Sequence, residues 1–75
     1  MSVSPQFEKI LRQINATGAD LAPPVHPLHR IRALEDINQE TAESFRRSNL
    51  TSEEVDVISG QIIRQVAIYR QQLNN

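Results

Sequence analysis

The chain contains no cysteine, and only two of its 75 residues are glycine. Without cysteine there is no disulfide to staple the fold and no thiolate to hold zinc. The same absence suits a reducing compartment, and the expected location is the cytoplasm. Scarce glycine leaves no glycine-rich loop of the kind that cradles phosphates. No run of about 18 apolar residues occurs, so no membrane-spanning helix is expected. The opening Met1-Ser2-Val3-Ser4 has no basic stretch ahead of an apolar core, so no secretory signal is expected either. An excess of positive charge is also missing: Lys and Arg number 8 against 9 Asp and Glu, for a net charge of -1. Non-specific nucleic-acid binding rests on neutralising phosphates with a basic surface, and this composition does not supply one.

Strand-like alternation is absent as well, while Gln, Glu, Arg, Ile and Leu fill the long segments. The expected class is all-α: one small domain over 1–75, built as an antiparallel hairpin of two long helices plus a short N-terminal helix. A chain of this length buries a modest core, and one without staples often relies on oligomerisation or a partner. The expected form is therefore a three-helix bundle that dimerisation could complete.

The best-signalled helix is predicted over about 52–73. Thr51-Ser52-Glu53-Glu54 has the capping-box spacing, in which the side chains of Thr51 and Glu54 each reach the other's backbone N–H. Leu50 and Val55 have the hydrophobic-staple spacing around it. Glu53, Glu54 and Asp56 place negative charge at the positive end of the helix dipole. Val55, Ile58, Ile62, Val66, Tyr69 and Leu73 then recur at steps of three and four, on one stripe. Val57 and Ile68 fall on the far side, either as scattered surface residues or as a second contact face. Gly60 in mid-helix costs roughly 1 kcal/mol against alanine. It is either tolerated or marks a close helix–helix approach along the strip Gly60, Ile63, Ala67.

Earlier in the chain, Ser4-Pro5 opens a helix predicted over about 5–16, with Phe7, Ile10, Leu11 and Ile14 as its buried stripe. Gly18 is expected just past its end, near C′. Three turns are marginal alone, so this helix must dock in cis or on a neighbour. A connector follows over 17–27. Within it Leu21 to Pro27, with Pro23, Pro24 and Pro27, reads as a polyproline-like spacer. The middle helix is predicted over about 28–48, with Ile31, Leu34, Ile37, Ala42 and Phe45 on its apolar side, joined there by Asn38 and Thr41. Asn38 either sits half-wet at the stripe's edge or pairs across a helix interface. Arg32 with Asp36, and Glu43 with Arg47, are spaced for i,i+4 ion pairs. The expected core is Phe7, Ile10, Leu11, Ile14, Ile31, Leu34, Phe45, Val55, Ile58, Ile62, Val66, Tyr69 and Leu73.

Chemistry is sparsely signalled. His26 and His29 flank Pro27 and lack the further ligands a zinc site needs, so they read as exposed or capping residues. Glu35, Asp36, Glu40 and Glu43 share one helix, and paired catalytic carboxylates need a pocket to separate their pKa values. No enzymatic activity, cofactor, metal or small-molecule substrate is expected. The expected function is a small protein–protein interaction module (adaptor, chaperone, inhibitor or regulator) that binds another protein or its own copy through amphipathic helix faces. Val57, Gly60, Ile68, Phe7 and Leu11 are the candidate contact residues. The alternative is a compact helix-turn-helix-like DNA-binding regulator around Ser48 to Thr51. Against it, Glu53, Glu54 and Asp56 occupy the turn that would face phosphate.

Overall fold

The structure is a computed structural model and describes residues 4–18 and 26–74. Its helices are α1 (Pro5–Gly18), α2 (Pro27–Arg46) and α3 (Ser52–Asn74). Each begins at a side chain that accepts from its own first turn. The Phe7 N–H donates to Ser4 Oγ at 3.1 Å. The Leu28 N–H donates to His26 Nδ1 at 3.1 Å, with Pro27 locked into the first helical position. At α3 both halves of the capping box form: the Glu54 N–H donates to Thr51 Oγ1 at 3.1 Å and the Thr51 N–H to Glu54 Oε1 at 2.9 Å. Beside that box Leu50 is 5% exposed, which places the staple residue in the core.

The turn between α2 and α3 is made without glycine. Ser48 takes a left-handed conformation with φ 62. Its N–H donates to the Phe45 carbonyl at 3.0 Å, and the Asn49 N–H donates to the Ser44 carbonyl at 2.8 Å. These two bonds are the Schellman pair that satisfies the last carbonyls of a helix. The reversal takes only residues 47–51, so α2 and α3 run back as antiparallel neighbours and form the largest helix–helix interface. Helix α1 lies across both, in cis, and the three form a bundle about 41 Å long and 21 × 18 Å across.

The core is Ile10 and Ile14 from α1, Leu34 and Ile37 from α2, Leu50 from the turn, and Ile58, Ile62 and Tyr69 from α3. Phe7, Leu11, Ile31, Val55 and Val66 pack around its rim. Burying an isoleucine or leucine of this kind contributes about 1.5–3 kcal/mol. Two expected core residues lie outside: Phe45 is 47% and Leu73 40% exposed. Phe45 follows Ser44, whose Oγ accepts from Gln6 Nε2 of α1 at 2.9 Å. One residue is about 100° of helix, so Phe45 turns away from α1. Leu73 stands a full turn beyond Tyr69, and Tyr69 is where the last residue of α1, Gly18, comes close. At 14 residues against 23, α1 is too short to cover it.

Polar residues take the places the stripe left. Thr41 is 2% and Ser44 6% exposed. Thr41 satisfies its hydroxyl by donating to the Ile37 carbonyl at 2.8 Å, whereas Ala42 is exposed. Gly18 also differs from expectation. It is the last helical residue and not a left-handed cap, since no glycine in the described residues has positive φ. Among the ion pairs, Glu43 is joined to Arg47 at 3.7 Å and also to Arg46. Arg32 and Asp36 form no pair, and both stay exposed. Of the predicted proline spacer, residues 21–25 lie outside the described residues; His26 is extended, with φ -62 and ψ 138. None of the described helices is long and apolar enough to cross a membrane.

Candidate functional site

The hairpin of α2 and α3 has two broad faces, and α1 covers one of them. On that side the seam is partly polar. Gln6 donates to Ser44 and, at 3.4 Å, to Glu40 Oε1, while Lys9 lies 3.7 Å from Glu40. At the far end α1 approaches so closely that a Cβ on Gly18 would meet the Tyr69 hydroxyl at 3.3 Å and Gln65 Oε1 at 3.4 Å. The Arg30 guanidinium lies 5.4 Å from the centroid of the same Tyr69 ring, a cation–π arrangement. Gln13 and Gln65 each bury a side-chain oxygen with no hydrogen-bond partner, at a typical cost of about 1–3 kcal/mol apiece. Nothing in the apolar periodicity marked this end as polar.

Among the described residues the other face of the hairpin carries no helix. A groove runs along it, with Glu35 and Asn38 of α2 on one wall and Ile63, Ala67 and Arg70 of α3 on the other. Ile62 and Val66 also line it. Ile62 is 7% exposed and Val66 half-buried, but Ile63 is 69% exposed, the most exposed large apolar side chain in the described residues. Leaving an isoleucine in water forgoes about 1.5–3 kcal/mol of burial. Beside it Gly60 is exposed, and a Cβ there would have nothing within 4 Å. Of the two readings of Gly60, a close helix–helix approach is not made among the described residues. Asn38 is exposed, at the edge of the stripe.

The remaining candidate contacts fall elsewhere. Val57 and Ile68 are 48% and 49% exposed and lie roughly 100–120° further around α3 from the Gly60–Ile63–Ala67 strip. Phe7 and Leu11 are half-buried against the chain's own core. His26 caps α2 and is exposed, and its ring meets that of His29 edge-on at 6.3 Å. Among the described residues no three His, Asp or Glu side chains gather closely enough to hold a metal ion. Of the four acidic residues on α2, Glu40 is engaged by Gln6 and Lys9, and Glu43 by two arginines. At the start of α3 the Thr51 backbone N–H, helped by Ser4, holds the Glu54 carboxyl below its ordinary range. Glu53 and Asp56 are exposed on the same turns.

No protein-family model matches the chain, and neither a curated protein nor a solved structure shows significant similarity to it.

Proposed function

We propose that this chain is a non-enzymatic protein–protein interaction module that docks another protein, or a second copy of itself, on the open face of the α2–α3 hairpin. The observation that carries this is Ile63, 69% exposed beside the groove residues Ile62, Val66 and Ala67. An apolar strip on a ready-made helical pair is a surface that a third or fourth helix can complete. The non-enzymatic part rests on shape and chemistry. The groove is an open trough, and its titratable residues are one acid, Glu35, and one arginine, Arg70. Acid–base work by carboxylates needs a site that pushes two such groups apart in pKa, which an open trough does not do. A cytoplasmic setting belongs to the same proposal, on the absence of cysteine.

No observation favours the DNA-binding alternative. A helix-turn-helix crosses its two helices at about 90–120°, whereas α2 and α3 lie antiparallel. The first turns of α3 present Glu53, Glu54 and Asp56 where a recognition helix would meet phosphate.

The test is co-purification from cells with the full chain tagged, alongside an Ile63→Asp variant. The expected result is a protein, or an untagged copy of the chain, retained by the parent and lost by the variant. Equal recovery of every bound protein by both forms would refute the docking face.

A further inference from the structure

Resting on that docking face, we infer that its occupant is a second copy of this chain, with the two α3 helices antiparallel about a two-fold axis at Ile63. On α3 the residues Asp56, Gly60, Ile63, Ala67 and Arg70 recur at steps of four, three, four and three, and so form one stripe. The charged ends of the stripe are symmetric in position and opposite in sign about its middle. Asp56 lies seven residues before Ile63 and Arg70 seven after, so each is about 10.5 Å along the axis at 1.5 Å per residue.

A two-fold axis at Ile63 thus sets Asp56 of one protomer beside the partner subunit's Arg70, and repeats that pair on the other side. An isologous interface requires this kind of self-complementarity. The parallel arrangement would set Asp56 against Asp56 and Arg70 against Arg70. Neither side chain is engaged within the chain: both are exposed, and neither forms an ion pair with any described residue, Glu35 across the groove included.

Between the charges, Gly60 lies three residues before Ile63 and Ala67 four after, so the same two-fold sets Gly60 within about 1.5 Å, along the axis, of the level of the partner subunit's Ala67, twice, with the two Ile63 side chains at the centre. Small residues at those levels let helix axes come to the near end of the usual 8–10 Å. The bare backbone at Gly60 meets nothing within its own chain, and in this arrangement it becomes a contact. The two hairpins then share one core, as in a four-helix bundle, with each α1 remaining on the outer face.

The experiment is sedimentation of the full chain across a concentration series, for the parent, Asp56→Arg, Arg70→Asp and the double exchange. The parent should be a reversible dimer. Each single exchange should weaken dimerisation by about tenfold or more, because it brings like charges together twice, and the double should recover most of that loss. Helicity by circular dichroism is read in parallel. Should Asp56→Arg disturb the start of α3, Gly60→Leu provides the second variant: it has open space within the chain, so it should stay folded and become monomeric. A parent that is monomeric throughout, or a double exchange no tighter than the weaker single, overturns the inference. A monomeric parent that still retains a different protein through Ile63 overturns the second copy and leaves the docking face standing.

Discussion

The two faces of the α2–α3 hairpin use the same residue types to opposite ends, and their glycines show it most directly. On the covered face Gly18 sits where a side chain would press on Tyr69. On the open face Gly60 sits where a Cβ would have nothing within 4 Å beyond its own helix backbone, among the described residues. The isoleucines divide in the same way: Ile58 is 0% exposed and Ile63 69%. Both lie on α3, five residues apart, and five steps of about 100° place them on well-separated sides of the helix. Burial on α3 is therefore set by which face meets another helix, and not by apolarity alone.

The largest expected effects separate the faces by stability. Leu34→Ala, on the closed core, should lower the unfolding free energy by about 2–5 kcal/mol, a large share of what so small a domain has. Ile63→Asp should change it by less than about 0.5 kcal/mol at protein concentrations low enough to keep the chain monomeric, while removing association. Urea titrations of both variants at low concentration check this; comparable losses would mean the two faces are not different in kind. Next come the glycines, with opposite signs. Gly18→Val should destabilise by about 1–3 kcal/mol through overpacking against Tyr69. Gly60→Ala should stabilise the monomer by up to roughly 1 kcal/mol, the helix-propensity gain with nothing to clash. Thermal unfolding of the pair decides it.

Smaller effects come from the ends that both faces share. Ser48→Gly removes the steric penalty of a side chain at φ 62 and should gain on the order of 1 kcal/mol without altering association. The Glu54 carboxyl is held below its ordinary value by the Thr51 N–H, so its folded pKa lies below its unfolded one. Its contribution is present above the unfolded pKa and fades as pH falls through the lowered folded value. A Glu54→Gln chain should lack that acid-side loss, which a pH series of melting temperatures would reveal as a flatter profile.

Much of this was legible beforehand. The capping box at Thr51, the Ser4-Pro5 start and the stripe Val55–Ile58–Ile62–Val66–Tyr69 act within a few residues, so sequence spacing shows them. Gly60, Ile63 and Ala67 could be placed on one strip for the same reason. The errors occurred where a second helix decides. Phe45 and Leu73 have the right spacing, but Phe45 turns away from α1 and Leu73 stands a turn beyond the Tyr69 that Gly18 approaches. Ser44 has the wrong polarity for a core, yet it bonds to Gln6 of α1; Thr41, which the spacing places on the apolar side, is buried there and bonds to its own backbone. The polar end brings Arg30 of α2 to Gln65 and Tyr69, an i,i+4 pair on α3, and no local pattern relates Arg30 to that pair.

What the chain settled alone was its helices: where each starts and which stripe of each is apolar. Those depend on side chains reaching backbone groups three or four residues away, and on a fixed turn per residue. Which apolar residues end up dry depended on a 14-residue helix laid across two longer ones. That placement is a long-range choice, and among the described residues it left one face of the hairpin without a covering helix.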